Sequence, residues 1–361
     1  MHRSYTKPTI YPEVNQIKKS RTYGGSAIMF LWALLRLFTL LANYGNSVKE
    51  PLNSSIQSED VTEWESFRQT HAKHYTHDQE AAERYANFLQ HKRRAQELTE
   101  MDQGTAVYGV SQFSDLSEAE FSSRFLASSV RPMHRLKATK LKSNYLSNVS
   151  FPTSFDWREH NAVTDVKNQG ACGGCWAYAV VGNIESVSAV QTGVLRSLSV
   201  QQVLDCTQGS FGCFGGWPTM GLIYVTDSEG LQEESSYHQD QNCHVNTTAE
   251  TVKIDGYYQI PQYEDMIAKF IFKHGAVVAS LNALNLMHYK HGIVKLDYKQ
   301  CDSRFLNHVV LIVGFGEENG IPFWIVKNSW GTSWGENGYL RIFRGLSTCG
   351  IEKQVLSAFI N

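Results

Sequence analysis

An α+β protein whose halves meet in a cleft is what this chain predicts, and three observations predict it. All seven cysteines lie after residue 171, so a cysteine-free first region and a cysteine-bearing second region share one chain. Residues 175–190, CWAYAVVGNIESVSAV, form an apolar run that stops before Gly193 and predict a helix. The last hundred residues change period: His308-VVLIVGF, Phe323-WIVKN and Gly338-YLRIF predict antiparallel strands. A length of 361 residues allows about two domains. With 42% hydrophobic and 19% charged residues, a polytopic membrane protein and a wholly disordered chain are both excluded. The net charge of -2 offers nucleic acid no electrostatic footprint.

The elements follow in order. Residues 27–42 are apolar except for Arg36 and follow the basic cluster Lys18, Lys19 and Arg21. They fall short of the ~20 residues that span a bilayer and fit a secretory signal, with Gly45 and Ser47 suiting cleavage. The long stretch before them leaves two readings: translation starts at Met29 rather than Met1, or the segment is retained as a signal-anchor. Entry into the secretory pathway permits disulfides and gives meaning to the acceptor triplets at Asn53, Asn148 and Asn246. Residues 48–149 read as helical: Asp60 and Glu63 at the start of a helix bearing Trp64, Phe67 and His71, and a second helix from Asp78 with Tyr85, Phe88 and Leu89 on one face. A third carries the capping-box spacing Ser117/Glu120 ahead of Phe121 and Phe125. Residues 127–147 are Ser-, Lys- and Arg-rich and read as a linker open to cleavage. Beyond it, Ser199 and Gln202 repeat the capping-box spacing, with Leu198 placed to staple onto Val203.

Chemistry concentrates in Asn168-Gln-Gly-Ala-Cys-Gly-Gly-Cys-Trp-Ala-Tyr178. The pair Cys172/Cys175 reads as half a zinc site, a redox dithiol, or a structural cysteine beside a nucleophile. Cys206 and Cys213 are too far apart to complete a zinc site, and the polar loop before Cys172 is not the strand of a thioredoxin-like unit. The third reading remains, with no metal and no cofactor. At the first turn of a helix, Cys175 is favoured as a thiolate by free backbone N–H groups and the helix dipole. It needs a proton carrier held by a third group. His308 opens an apolar strand, and folding the chain back about residue 318 sets it opposite Asn328 within about one residue, where the asparagine accepts from one ring nitrogen while the other faces the sulfur. Trp330 then covers that bond. Gln169, six residues before Cys175, is placed with the Cys175 N–H to donate to an oxyanion, a contact worth ~3 kcal/mol in the barrier.

Residues 151–361 resemble the mature domain of a papain-family cysteine protease. The resemblance rests on four motifs in the family's order: Gln169-Gly-x-Cys-Gly-x-Cys-Trp176, Gly212-Cys-x-Gly-Gly216, Asn307-His308 before an apolar strand, and Asn328-Ser-Trp-Gly-x-x-Trp-Gly-x-x-Gly-Tyr339. It implies a papain-like two-lobed fold over residues 150–361, with a helical left lobe and an antiparallel β-barrel-like right lobe, preceded by an inhibitory propeptide at 48–149 and an N-terminal extension at 1–47. Gly174 stands where Ser or Ala is commoner, which would leave the site's lining slightly emptier. The resemblance also implies the pairings Cys172 with Cys213, Cys206 with Cys243 and Cys301 with Cys349, each worth about 4 kcal/mol at most by chain entropy, with Cys175 left as the odd thiol.

By the same resemblance, the pocket for the residue second before the scissile bond is walled by Trp217, Pro218, Ser280, Leu306 and Val309, with Gln354 at its floor. Those apolar walls predict a hydrophobic preference, and Gln354 either accepts a polar tip or shortens the pocket. Gly215 and Gly216 would bond an extended peptide through their backbones. No histidine-bearing insertion of the kind that blocks the cleft in the family's dipeptidyl members lies between Cys213 and Cys243, which by the resemblance favours an endopeptidase. In the preceding segment Glu80, Arg84 and Phe88 keep the family's propeptide motif, His91, Ala95 and Thr99 depart from it, and Gly109-x-Ser-x-Phe-x-Asp115 carries Ser111 for Asn. Acid would loosen that segment through its carboxylates and histidines 71, 74, 77, 91 and 134. The expected protein is thus a monomeric cysteine endopeptidase, made as a zymogen and lysosomal or secreted. Its partners are polypeptide substrates, its own propeptide and cystatin-like inhibitors. A catalytically silent peptide- or inhibitor-binding relative is the alternative, though a pure binder has no need of Cys, His, Asn and Gln together. A thiol oxidoreductase would instead join Cys172 to Cys175.

Overall fold

The computed structural model describes residues 54–127, 138–142, 144–238 and 242–361. Residues 27–42, Asn53, His134 and most of the linker lie outside the described residues. Among the described residues no helix is long and apolar enough to cross a membrane. The helices are α1 (Ser54–Thr70), α2 (Asp78–Met101), α3 (Glu118–Phe125), α4 (Cys175–Thr192), α5 (Val200–Cys206), α6 (Pro218–Asp227) and α7 (Glu264–His274). The strands are β1 (Val107–Tyr108), β2 (Thr139–Lys140), β3 (Phe155–Asp156), β4 (Leu231–Gln232), β5 (Thr251–Val252), β6 (Gly256–Ile260), β7 (Val277–Leu281), β8 (Tyr289–His291), β9 (Ile293–Val294), β10 (His308–Glu318), β11 (Ile321–Lys327), β12 (Tyr339–Phe343) and β13 (Val355–Phe359). The first turns of α1 belong to the unit Met1–Val61, and Thr62–Asn361 form a second unit holding every later element.

Helix α1 starts well before Asp60, so that residue lies inside the helix rather than capping it. Residues 54–60 hold no Gly or Pro, and nothing in them stops the helix from propagating back. Helix α2 begins at Asp78 and buries Phe88, His91, Ala95 and Leu98, a single stripe at helical spacing. Phe88 is fully buried against Trp64 and Phe67, with ring centroids 5.3 and 5.2 Å away. The capping box at α3 is complete: Ser117 Oγ accepts the Glu120 N–H while Glu120 takes the Ser117 N–H. At α5 only half of one forms. Ser199 Oγ accepts the Gln202 N–H (3.0 Å), but the Gln202 amide donates to Tyr224 Oη and the Gly230 carbonyl, and its oxygen accepts from Gln232 N. A better-buried set of partners outcompetes the box.

Among the described residues the main sheet runs β2-β6-β13-β7-β10-β11-β12-β9, with β3 beside β10. Its pairs are antiparallel except β2 with β6 and β12 with β9. The strand β2 lies within the stretch read as linker, whose Leu141 and Leu146 are also buried. Apolar residues anchor the far end of that stretch to the sheet.

Helix α4 packs on β10, β13 and β7 and is buried on nearly all sides from Cys175 to Ala189. Gly193 ends it with a φ of 77°, a left-handed cap that suits glycine. Gly182 permits the close approach to β10, because a Cβ there would lie 3.0 Å from Leu311 Cδ2. Asn183, buried in mid-helix, donates to the Ala276 carbonyl (2.7 Å) and Ser357 Oγ (3.0 Å) and accepts from Ala358 N (2.8 Å). Asn183→Ala removes all three bonds, although Ser357 Oγ keeps its own bond to the Ala358 carbonyl, and is expected to cost about 2–4 kcal/mol, read as a lower urea midpoint at unchanged slope. A loss below about 0.5 kcal/mol would show that this side chain does not tie the helix to the sheet.

The hairpin β10–β11 turns at Asn319-Gly320, both with positive φ, and pairs Glu318 with Ile321. A bulge between Ile312 and Gly314 then leaves Leu311 opposite Lys327. Continuing that register carries His308 past Asn328 to the level of Trp330, so the fold-back about residue 318 is corrected by two positions. The two side chains meet by reaching along the strand rather than straight across it.

Candidate active site

Cys175 is the first residue of α4 and the one free cysteine among the described residues. The other six pair as Cys172–Cys213, Cys206–Cys243 and Cys301–Cys349. Gly174 has no slack around it: a Cβ would stand 3.0 Å from Cys172 Sγ and 3.2 Å from Leu204, so the expected emptier lining is corrected. The sheet presents His308 at the start of β10, fully buried. Its Nε2 donates to Asn328 Oδ1 at 2.8 Å, and the same oxygen accepts the Ser329 N–H at 2.8 Å. The Trp330 ring lies 4.7 Å from the imidazole at 30° and shields that bond from water.

Gln169 enters from the loop before α4. Its Nε2 donates to the Cys172 carbonyl (2.7 Å) and to the carbonyl of Phe125 (3.1 Å), at the end of α3. Two residues on, the Ala127 N–H donates to the Asn307 carbonyl (2.8 Å), beside His308. Residues 125–127 therefore span the site from one wall to the other. Phe113 and Phe121 close it from above, edge-on to Trp330 with centroids 5.4 and 5.3 Å away.

That cover decides the electrostatics. Burial pushes the Cys175 thiol up to about 12, against the pull of backbone N–H groups of Val309, Trp176, Cys175 and Ala127. Burial likewise pulls His308 down to about 4, opposed by its bond to Asn328. His308 Nδ1 makes no hydrogen bond among the described residues. Burial here works against the thiolate expected from a helix N-terminus: covered from water, sulfur and imidazole are both pushed towards their neutral forms. The Val309 N–H, one residue after His308, reaches the sulfur.

Ser329 was missed by sequence reasoning. Besides its N–H on Asn328, its hydroxyl donates to Gln169 Oε1 (2.6 Å) and its carbonyl accepts the Gln169 N–H (2.8 Å). One residue thus turns the Gln169 amide so that Nε2 faces the site, and also steadies the acceptor of His308. Its place beside Asn328 was the available signal. Behind it the buried Lys327 donates to the Thr164 carbonyl and hydroxyl, and Thr164 donates to Glu185. Burial lowers Lys327 to about 8.

Of the pocket residues, Val309 pairs with Ser280 across β10 and β7, and the Ser280 N–H donates to the Gln354 carbonyl (3.2 Å). Ser280 Oγ and Gln354 Oε1 are buried with no hydrogen-bond partner among the described residues. Leu306 is half-buried on the same hydrophobic cluster as Val309. Trp217 and Pro218 begin α6. Gly216 lies so close to Trp176 that a Cβ would come within 2.5 Å of its ring, while the Gly215 carbonyl is taken by the Phe211 N–H (2.9 Å).

Residues 151–359 match the model of the papain family cysteine proteases, and residues 64–121 that of the cathepsin propeptide inhibitor domain. Mouse cathepsin F is 35% identical over 87% of this chain and 68% of its own length. Human cathepsin O, which the cysteine motif and the run Leu198-Ser-Val-Gln-Gln-Val-Leu-Asp-Cys206 resemble, is 38% identical over 75% of this chain and 85% of its own. Among solved structures, digestive procathepsin L2 of Tenebrio molitor superposes with a TM-score of 0.76 at 30% identity, covering 83% of this chain and 100% of that one. The recombinant stem bromelain precursor gives 0.74 at 30%, covering 84% and 99%. The chain belongs to the papain family of cysteine proteases and carries a cathepsin-type propeptide inhibitor domain.

Proposed function

We propose that this chain is the zymogen of a cysteine endopeptidase, monomeric and either lysosomal or secreted. Cys175 is its nucleophile, His308 its proton carrier, Asn328 the orienter of that imidazole, and Gln169 with the Cys175 N–H its oxyanion site. Once uncovered, the sulfur at the start of α4 gives its proton to His308 and attacks the peptide carbonyl carbon. The oxyanion forms between Gln169 Nε2 and the Cys175 N–H, the imidazolium protonates the departing amine, and a water attacks the thioester with His308 taking its proton. One observation carries this reading: the Phe125 carbonyl rests on Gln169 Nε2 at 3.1 Å, as a scissile carbonyl would. The propeptide occupies the cleft through the contact a substrate needs.

Gln169→Ala in the opened enzyme is expected to lower kcat about 10²–10³-fold with KM changed little, measured on a peptide substrate. A loss under threefold would remove Gln169 from the oxyanion site. The walls Trp217, Pro218, Leu306 and Val309 suit a hydrophobic residue second before the cut, and the free polar atoms of Ser280 and Gln354 suit one with a polar tip. A peptide library read by mass spectrometry ranks the two. Gly216 pairs the substrate backbone, the N–H and carbonyl of Gly215 being taken by Gly212 and Phe211, and cystatin-like inhibitors enter the same cleft. Maturation falls within the linker, leaving a domain from about residue 150. Asn246 is an exposed glycan acceptor whose Oδ1 already takes the Thr248 hydroxyl (2.8 Å), and Asn148 is a second.

A further inference from the structure

Helix α2 lays its buried histidine against a histidine of the domain it covers. The rings of His91 and His288 have centroids 4.0 Å apart at 51°, and each residue is only 3% exposed. His91 Nε2 donates to the Gly109 carbonyl (2.9 Å), which leaves Nδ1 as a bare acceptor. That Nδ1 and both nitrogens of His288 have no hydrogen-bond partner among the described residues. Gly109 joins the two, since its N–H donates to the His288 carbonyl (2.8 Å) just where Tyr108 of β1 pairs with Tyr289 of β8. The contact therefore sits at the seam where propeptide and peptidase domain share a strand pair.

The charged surroundings do not welcome a cation. Arg94, one turn further along α2, and His91 itself both oppose charge on His288. On His91, Lys290 opposes charge and Asp115 favours it. Asp115 is engaged already by Lys73 (2.8 Å) and Tyr75 (3.1 Å). Arg93, Arg94 and Glu97 of α2 and Glu118 of α3 line, with both histidines, a solvent-open cavity of about 600 Å³ that gives protons a route in.

We propose that the His91–His288 contact is a proton-operated latch, in which protonation of either ring in acid parts α2 and β1 from the segment 284–291 and uncovers the cleft. It rests on the zymogen reading for its consequence, not for its mechanics. Burial lowers His91 to about 4 and holds His288 well below its ordinary value. In the opened chain both return towards ~6.5, so the open state binds more protons throughout the window between, and acidification there favours opening. At pH 5 a ring moved between those two values shifts the balance roughly thirtyfold. Above the window neither state gains a proton, and the latch stays shut.

The test uses the full-length chain with Cys175→Ser, so that no cleavage can report opening and the peptidase mechanism does not enter. Hydrogen exchange over residues 84–110, corrected for the intrinsic rate, is followed from pH 7.5 to 4. Protection is expected to fall steeply inside the window, and adding His91→Gln with His288→Gln is expected to move the midpoint down by at least about half a pH unit and flatten the slope. An unchanged midpoint and slope overturn the latch. Should the double variant be unprotected already at pH 7.5, the ring-proton resonances of His91 and His288 in the parent decide instead. They should stay neutral until α2 loses protection. Titration near pH 6.5 with α2 still protected overturns the proposal.

Discussion

Cys175→Ser in the acid-opened enzyme is expected to lose at least about 10⁴-fold in kcat/KM on peptides while binding them within a few-fold of the parent. A serine hydroxyl keeps the shape of the first turn of α4 but is not ionised by a neighbouring imidazole to the extent a thiol is. The three disulfides do not involve that sulfur, and a serine oxygen can accept the same backbone N–H groups, so the fold is expected to stay as it is. The full-length serine variant should also remain uncut in acid. A fall of less than tenfold, or self-cleavage at the parent's rate, would mean that another group attacks the carbonyl.

His308→Gln is the second large effect, about 10⁴–10⁶-fold in kcat. Its pH profile is more informative than its size. With the imidazole present, activity should span a plateau bounded below by thiolate formation and above by loss of the imidazolium. With glutamine the sulfur titrates alone, and the residual rate should climb with pH through the ordinary thiol range near ~8.5. The double variant Cys175→Ser/His308→Gln should be no slower than the worse single one, because the two groups act as a unit. If the His308→Gln profile kept the parent's acid limb, the imidazole would not be the sulfur's partner.

Much of this was legible in the residues, for reasons that differ by element. Periodicity and caps are local, so α2, α3 and α4 and the strands from His308, Phe323 and Gly338 emerged with their ends nearly in place. Asn319-Gly320 named its own turn. What failed were features set by distant partners. The hairpin centres on 319–320 rather than on 318, and the bulge at Ile312/Gly314, which nothing in those residues announces, takes back one position of that offset. Gln202 left its capping box for Tyr224 and Gly230, and Leu141 and Leu146 drew the end of a polar linker onto the sheet. Ser329 escaped notice because its role needs two loops brought together. The protonation state of Cys175 was read from its helix position alone, whereas residues 125–127 lie across the site and burial pushes the thiol the other way.

Alkylation of the full-length chain by a peptidyl epoxide, followed by mass-spectrometric mapping, addresses the covered sulfur most directly. An ordinary exposed thiol labels several-hundredfold more slowly at pH 4.5 than at pH 7, because its thiolate fraction falls with pH. Here the neutral, buried thiol should be nearly inert at pH 7 and should label at least about a hundredfold faster at pH 4.5, on Cys175 alone, as the cover lifts and His308 takes the proton. A rate that falls with acid like that of a free thiol, or label found on Cys172, would contradict the account.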